Sequence, residues 1–159
     1  MSNINKKKPL KSYHNTKLTT ENKGNVAPLE LCENLIRKGE FKLLNGDPTG
    51  LIYFDMALRL VPENAAFLLQ KGIAVFEFSL LSKDLKHLHL ACKYFKKSAR
   101  LNPKNFEVYH FWGNALFAQG QKSKNPDLVL NAISKYKQAL QSAPKHLPDQ
   151  LFDLLWDQS

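Results

Sequence analysis

The sequence predicts an all-α fold, an α-α superhelix (solenoid) of about three stacked helix pairs. Three observations support this prediction. Apolar residues recur at helical spacing in several stretches of the chain. Small, aromatic and proline residues repeat after 41 residues. Each repeated block ends at a proline, which cannot continue a helix. A fixed period of this size is typical of architectures in which each unit packs only on its neighbours.

The period is clearest between residues 65–105 and 106–146, where Gly113 lies 41 residues after Gly72. The other matched positions are Ala74 and Ala115, Phe76 and Phe117, Ala91 and Ala132, Phe95 and Tyr136, and Pro103 and Pro144. Residues 31–64 are less regular at their start but end in the same order of residue types, at Gly50, Phe54, Ala57 and Pro62. The three matches predict units at about residues 31–64, 65–105 and 106–146.

Six helices are expected in these units. In the first unit, one helix opens near Pro28 and a second covers residues 49–60 after a turn at residues 45–48. The others are expected over residues 65–81, 88–101, 106–120 and 127–142. Asn64 and Asn105 follow the prolines and should N-cap the next helices. The helix over residues 65–81 is apolar on almost every side, which predicts a central position or an exposed binding stripe. It is short and interrupted by charges, so no membrane span is expected.

The residue types at the repeated positions resemble the tetratricopeptide repeat family over residues 30–146. The third unit carries the motif Tyr109-x-x-Trp112-Gly113-x-x-Leu116, then Ala132-x-x-x-Tyr136-x-x-Ala139 and Pro144. The second unit carries Leu68, Gly72, Val75, Ala91, Phe95, Ser98 and Pro103. Small residues at these places let two helices approach closely, and aromatic residues fill the space between them. The resemblance implies two-helix units that stack into a superhelix.

The units of this chain are longer than the 34 residues usual for the family. The extra residues lie between the two helices of the second and third units, where Ser82-Lys83-Asp84 aligns with Ser123-Lys124-Asn125. We expect this insert to lengthen the first helix or to form a polar turn at one edge of the stack. Two interpretations stay open, a tolerated surface insertion and a second contact edge.

Charge and cysteine content bound the possible roles. Residues 1–28 hold six lysines and one glutamate, a net charge of +5, and are expected to form a disordered basic tail without a signal peptide. The rest of the chain carries +4, so nucleic acid is not the expected partner of the folded part. Cys32 and Cys92 form no Cys-x-x-Cys motif; buried free thiols and a cytoplasmic location are expected.

No enzyme signature is found. The chain lacks a phosphate loop, a dinucleotide fingerprint and paired catalytic carboxylates. His87 and His89 are two residues apart and point to different sides of a helix, so they are not expected to share a metal. His110 has no evident nucleophile or carboxylate beside it in the sequence. We therefore expect no catalysis, no cofactor and no metal.

The resemblance implies that a peptide or a partner helix lies in a concave groove lined by the first helix of each unit. The groove residues implied in this way are Leu69, Ile73, Phe76, His110, Asn114 and Phe117. Unit one would add Ile36, Glu40 and Leu43. Asn114 occupies the place where family members often use an asparagine to bind a ligand's backbone. Ile36 stands where carboxylate-binding members have a lysine, so the expected ligand is an apolar extended or helical segment.

A protein-interaction scaffold, adaptor or chaperone is therefore the expected function. The size and the apolar second unit are similar to those of the type III secretion chaperones, which belong to the same repeat family. Two alternatives stay open: an RNA-binding helical repeat that uses the basic tail, and a subunit or fragment of a larger assembly. Residues 147–159 are expected to form a capping helix or a truncated fourth unit, and Trp156 within them favours partner contact, self-association or truncation.

Overall fold

The computed structural model describes residues 26–144, which form helices and connecting turns without a strand. The helices are α1 (Val26–Leu44), α2 (Gly50–Leu60), α3 (Ala65–Ser82), α4 (Leu85–Leu101), α5 (Phe106–Ser123) and α6 (Pro126–Ser142). They pack in adjacent pairs, α1 with α2, α3 with α4 and α5 with α6. The predicted all-α fold is confirmed at this level. The predicted basic tail, apart from residues 26–28, and the predicted capping segment lie outside the described residues.

Each later pair packs on the pair before it through its own first helix. α3 lies against both α1 and α2, whereas α5 lies mainly against α4 and makes a smaller contact with α3. The free surfaces of α1, α3 and α5 are therefore neighbours, and we call the surface over these three helices the first-helix face. α4 and α6 are the second helices of their pairs.

One contact between a glycine and an aromatic ring is made in all three pairs. Gly39 faces Phe54, Gly72 faces Phe95, and Gly113 faces Tyr136. A Cβ atom on any of these glycines would lie less than 3.0 Å from the facing ring. The missing side chain is thus what lets the two helices of each pair approach. The 41-residue match between glycines and rings corresponds to one repeated packing contact.

Capping side chains begin four of the helices. Asn64 and Asn105 accept hydrogen bonds from the backbone N–H of Phe67 and of Glu107, both at 3.0 Å, which confirms the predicted caps. Asp84 and Asn125 cap α4 and α6 in the same way. Lys83 and Lys124, the residues before these caps, have φ angles of 57° and 54°. The matching tripeptides thus form the same tight left-handed turn in both pairs.

The insert lengthens both helices of a pair, whereas we expected it to lengthen the first helix or to form a polar turn. α3 ends ten residues after Gly72, whereas α1 ends five residues after Gly39. α4 begins six residues before Ala91, whereas α2 begins at Gly50 itself. The hairpins of the second and third pairs therefore extend about 8 Å further than that of the first.

α3 is the central helix, which explains its apolar composition. It supplies Phe67, Ala74 and Phe78 to the core shared with α1 and α2. It also supplies Leu69, Val75 and Phe76 to the core shared with α4 and α5. By length and composition alone α3 could cross a membrane, although its length and charges led us to expect no membrane span. In the folded protein 56% of this helix is buried.

Candidate interaction surface

The second pair keeps most of its predicted groove residues inside the core. Leu69 and Phe76 are 6% and 8% exposed and pack among Val75, Leu88 and residues of α5. Ile73 is half-buried beside the same core. α3 has a helix on each side, so little of the surface of its Leu69 and Phe76 side chains is left for a ligand. Only Ile73 of these three residues reaches the surface to a useful extent.

The third pair exposes more of its predicted set. Phe117 is 41% exposed, whereas its equivalent Phe76 is buried, because α5 packs against a first helix on one side only among the described residues. Asn114 is half-buried and His110 is 5% exposed. In the first pair Ile36 and Leu43 are each 3% exposed and belong to the core. The accessible part of the predicted site is thus Ile73, Asn114 and Phe117.

A hydrogen-bond chain holds Asn114 in one orientation. The Tyr136 hydroxyl donates to Asn114 Oδ1 at 2.9 Å, and Asn114 Nδ2 lies 3.3 Å from His110 Nε2. The amide nitrogen must donate, so Nε2 accepts and the ring proton is on Nδ1. Burial lowers the pKa of His110, which keeps the ring neutral, and raises the pKa of Tyr136 to about 12. Asn114 keeps one N–H and one lone pair for an incoming backbone.

His110 is the least favourably placed member of this hydrogen-bond chain. Its Nδ1 atom is buried and has no hydrogen-bond partner among the described residues. A buried N–H without a partner costs about 1–3 kcal/mol. The ring packs against Phe111 and Tyr136, with centroids 5.2 and 6.3 Å away. The third pair therefore carries a polar group inside the core at the position where the second pair has Leu69.

Glu77 adds an acidic side chain that the predicted set did not include. It is half-buried on α3, four residues after Ile73. Burial, and secondly the charge of Glu40 on α1, raise the pKa of Glu77 to about 7. Burial also raises the pKa of Glu107 on α5. A lone glutamate within an apolar stretch was the available sequence signal, but its burial depends on the neighbouring helices.

A second feature missed in the sequence is a pair of cation–π contacts between first and second helices. The Lys71 ammonium lies 4.4 Å from the Tyr94 ring centroid, and the Lys135 ammonium lies 4.0 Å from that of Trp112. Lys71 matches Trp112 and Tyr94 matches Lys135 after 41 residues, so cation and ring have exchanged helices. Lys71 is 2% exposed and also pairs with Asp55, which compensates its buried charge.

Two observations concern metal binding and thiol reactivity in the described residues. No group of three or more histidine, cysteine, aspartate or glutamate side chains comes together within residues 26–144 to hold a metal ion. Cys32 and Cys92 are free thiols; Cys32 is buried and Cys92 is half-buried. Burial raises the pKa of both, that of Cys92 to about 12, so both stay protonated and poorly nucleophilic at neutral pH.

Comparison of the sequence with protein-family models gives no match, and comparison with curated proteins gives none either. The function of the chain is therefore inferred from its own residues.

Proposed function

We propose that this chain is a protein-interaction scaffold of the tetratricopeptide repeat type, a superhelix whose concave groove is the first-helix face and binds a peptide or helix of a partner. The observation that carries the proposal is the side-by-side arrangement of α1, α3 and α5. Ile73 on α3 and Asn114 and Phe117 on α5 are the accessible members of the predicted groove set, and they support the proposal. Binding without catalysis is the role we propose, in the cytoplasm and without a cofactor.

The chemistry of this surface favours a ligand with both apolar and cationic side chains. Phe117 offers 41% of its surface as an apolar anchor, and full burial of such a side chain contributes about 1.5–3 kcal/mol. Asn114 offers one donor and one acceptor to a peptide backbone. Glu77, whose pKa is raised to about 7, would be stabilised in its charged form by a partner's lysine or arginine. A chaperone that shields apolar segments is one form of this proposal.

Selection from a random peptide library followed by titration calorimetry tests the proposal. Phe117→Ser removes the exposed anchor with little effect on the core, and Leu130→Ser is its matched control because Leu130 is a 64% exposed side chain on α6. We expect selected peptides to combine apolar and basic residues. They should bind Phe117→Ser at least about tenfold more weakly than wild type, which corresponds to loss of about 1.4 kcal/mol.

The control variant distinguishes specific binding at the first-helix face from non-specific apolar binding. Leu130→Ser should bind the selected peptides as wild type does. Equal binding by wild type and Phe117→Ser would reject the first-helix face as the site, and equal losses in both variants would point to non-specific apolar contact. Failure to select any peptide from the library would count against a peptide-binding scaffold.

A further inference from the structure

The outer face of α4 forms a continuous basic stripe. Its members are all exposed or at the edge of the exposed surface, and they are Lys86, His89, Lys93, Lys96, Lys97 and Arg100. At 3.6 residues per turn these positions fall within an arc of about 100°. From Lys86 to Arg100 the stripe is about 21 Å long. We call this set the α4 stripe.

The described part of the protein does not neutralise the α4 stripe. α4 contains no aspartate or glutamate. Lys93, Lys96, Lys97 and Arg100 form no side-chain hydrogen bond or ion pair with any other residue that the structure describes. A further cation, Lys135 of α6, lies close by; burial and secondly the charge of Lys96 lower its pKa. Like charges are therefore held together at a cost that a bound anion would offset.

The fold does not require this charge, as the equivalent helix shows. α6 stands 41 residues later and repeats the buried residues of α4, with Ala132 for Ala91 and Tyr136 for Phe95. At the six stripe positions α6 has Asp127, Leu130, Ser134, Lys137, Gln138 and Gln141. Their net charge is zero, against +5 for the α4 stripe with His89 neutral. The positive charge is thus a property of the surface of α4 and not of the helix pair.

The surroundings of the stripe narrow the kind of anion. A depression of about 230 Å³ is lined by the last four cations of the stripe together with Leu90 and Tyr94. The Cβ atoms of residues three and four apart on a helix lie about 5–6 Å from one another, so a row of such cations suits a chain of successive phosphates. Half-buried Leu90 and Tyr94 provide an apolar and aromatic wall for bases. The stripe has no apolar side chain at its centre that could enter a bilayer, which argues against a membrane. It contains a single arginine to bind carboxylates, which argues against an acidic peptide.

We propose that the α4 stripe binds the phosphate backbone of a single-stranded nucleic acid, with Lys93, Lys96, Lys97 and Arg100 as its main contacts. This site belongs to a second helix, away from the first-helix face, and is independent of the proposed function. It also differs from the expectation that nucleic acid is not a partner of the folded part and from the alternative of RNA binding through the basic tail. The net charge of the folded part is modest because acidic residues on other elements offset a stripe that contains none.

Fluorescence anisotropy with the full chain and a labelled oligouridylate of about 20 nucleotides tests the proposal. The stripe variant is Lys93→Gln/Lys96→Gln/Lys97→Gln/Arg100→Gln. Its matched control removes four exposed cations elsewhere, as Arg37→Gln/Lys38→Gln/Lys122→Gln/Lys137→Gln. Circular dichroism should show equal helix content in both. At about 50 mM salt the stripe variant should bind at least about tenfold more weakly than the control.

The salt dependence supplies a second, independent readout. Each lost phosphate contact to a single strand lowers the slope of log affinity against log salt by about 0.7, so the stripe variant should lose about 3 from this slope. Equal losses in stripe and control variants would overturn the proposal, since net charge alone would then explain binding. Loss confined to a third variant, with the six tail lysines changed to glutamine, would also overturn it. Equally tight binding to polyglutamate or to phosphatidylserine vesicles would reject nucleic acid as the partner.

Discussion

The second and third helix pairs have nearly the same interior and different surfaces. Gly72 and Phe95 of the second pair make the contact that Gly113 and Tyr136 make in the third. Both pairs share the left-handed turn and the cap at the hairpin tip. On the outside, α4 is basic whereas α6 is mixed. The positions that set the helix-to-helix distance are thus the same in both pairs, while the exposed positions differ and are free to carry function.

The two pairs also differ where their first helices meet the neighbouring unit. The second pair has Leu69 and Ile73 where the third has His110 and Asn114. Apolar residues suit α3, which is covered on two sides, whereas the equally buried positions of α5 hold polar groups that bond to one another and to Tyr136. The same helix-pair geometry therefore accommodates an apolar and a polar version of one contact, and the variants below test how equivalent the two versions are.

The largest expected difference concerns the aromatic ring of each pair. Phe95 is fully buried, so Phe95→Ala should lower the free energy of unfolding by about 3–5 kcal/mol. Tyr136 is half-buried, and Tyr136→Ala should cost about 2 kcal/mol because its site already meets solvent. Urea denaturation followed by circular dichroism measures both values. Equal costs would show that the third pair is as tightly packed as the second.

The pH dependence of stability should differ between the pairs at one position, where the second has Glu77 and the third has Ala118. The pKa of Glu77 in the folded protein is raised from 4.5 to about 7, chiefly by burial. The contribution of Glu77 to the free energy of unfolding is therefore fully present below about pH 4.5 and is lost as the pH rises to about 7. Glu77→Gln should be more stable than wild type by about 2 kcal/mol at about pH 8, with the difference vanishing in acid.

Urea denaturation between about pH 4 and pH 8 measures this change. Glu63→Gln is the matched control, since Glu63 is exposed in the turn before α3. Parallel stability curves for wild type and Glu77→Gln would contradict the raised pKa. A stabilisation of the same size in Glu63→Gln would assign the effect to overall charge instead of the burial of Glu77.

The sequence could predict the local features of the repeat but not which of its positions become buried. The helix pairs, the glycine–ring contacts and the Asn64 and Asn105 caps were predictable because they depend on local residue types that recur at a fixed period. The burial of Phe76 and the exposure of Phe117 were not, because both sit at the same repeat position and differ only in their neighbours. The lengthening of both helices by the insert was not predictable either, because the cap at Asp84 could be assigned only once the turn was seen.

A smaller effect is expected where a methyl group is added to the repeated glycines. Gly72→Ala places its Cβ against the buried Phe95 ring, which overpacks the core by about 1–3 kcal/mol, while the helix gains about 1 kcal/mol from alanine. The net loss should be about 0–2 kcal/mol and should be reduced by adding Phe95→Leu. Gly113→Ala should cost less, because Tyr136 is partly exposed and can shift. Thermal unfolding of the three variants checks this order, and a larger cost for Gly113→Ala would reverse it.

The smallest net effect should come from giving the third pair the residues of the second. Tyr136→Phe alone removes the hydroxyl that donates to Asn114 and should cost about 1 kcal/mol. The triple variant His110→Leu/Asn114→Ile/Tyr136→Phe recreates Leu69, Ile73 and Phe95 at the equivalent positions. It removes both partners of each hydrogen bond together with the buried unpartnered His110 Nδ1, so its stability should equal or exceed that of wild type. A triple variant less stable than Tyr136→Phe would show that the polar chain stabilises the third pair. A triple variant that is stable but no longer binds library-selected peptides would show that the third pair keeps its polar chain for recognition.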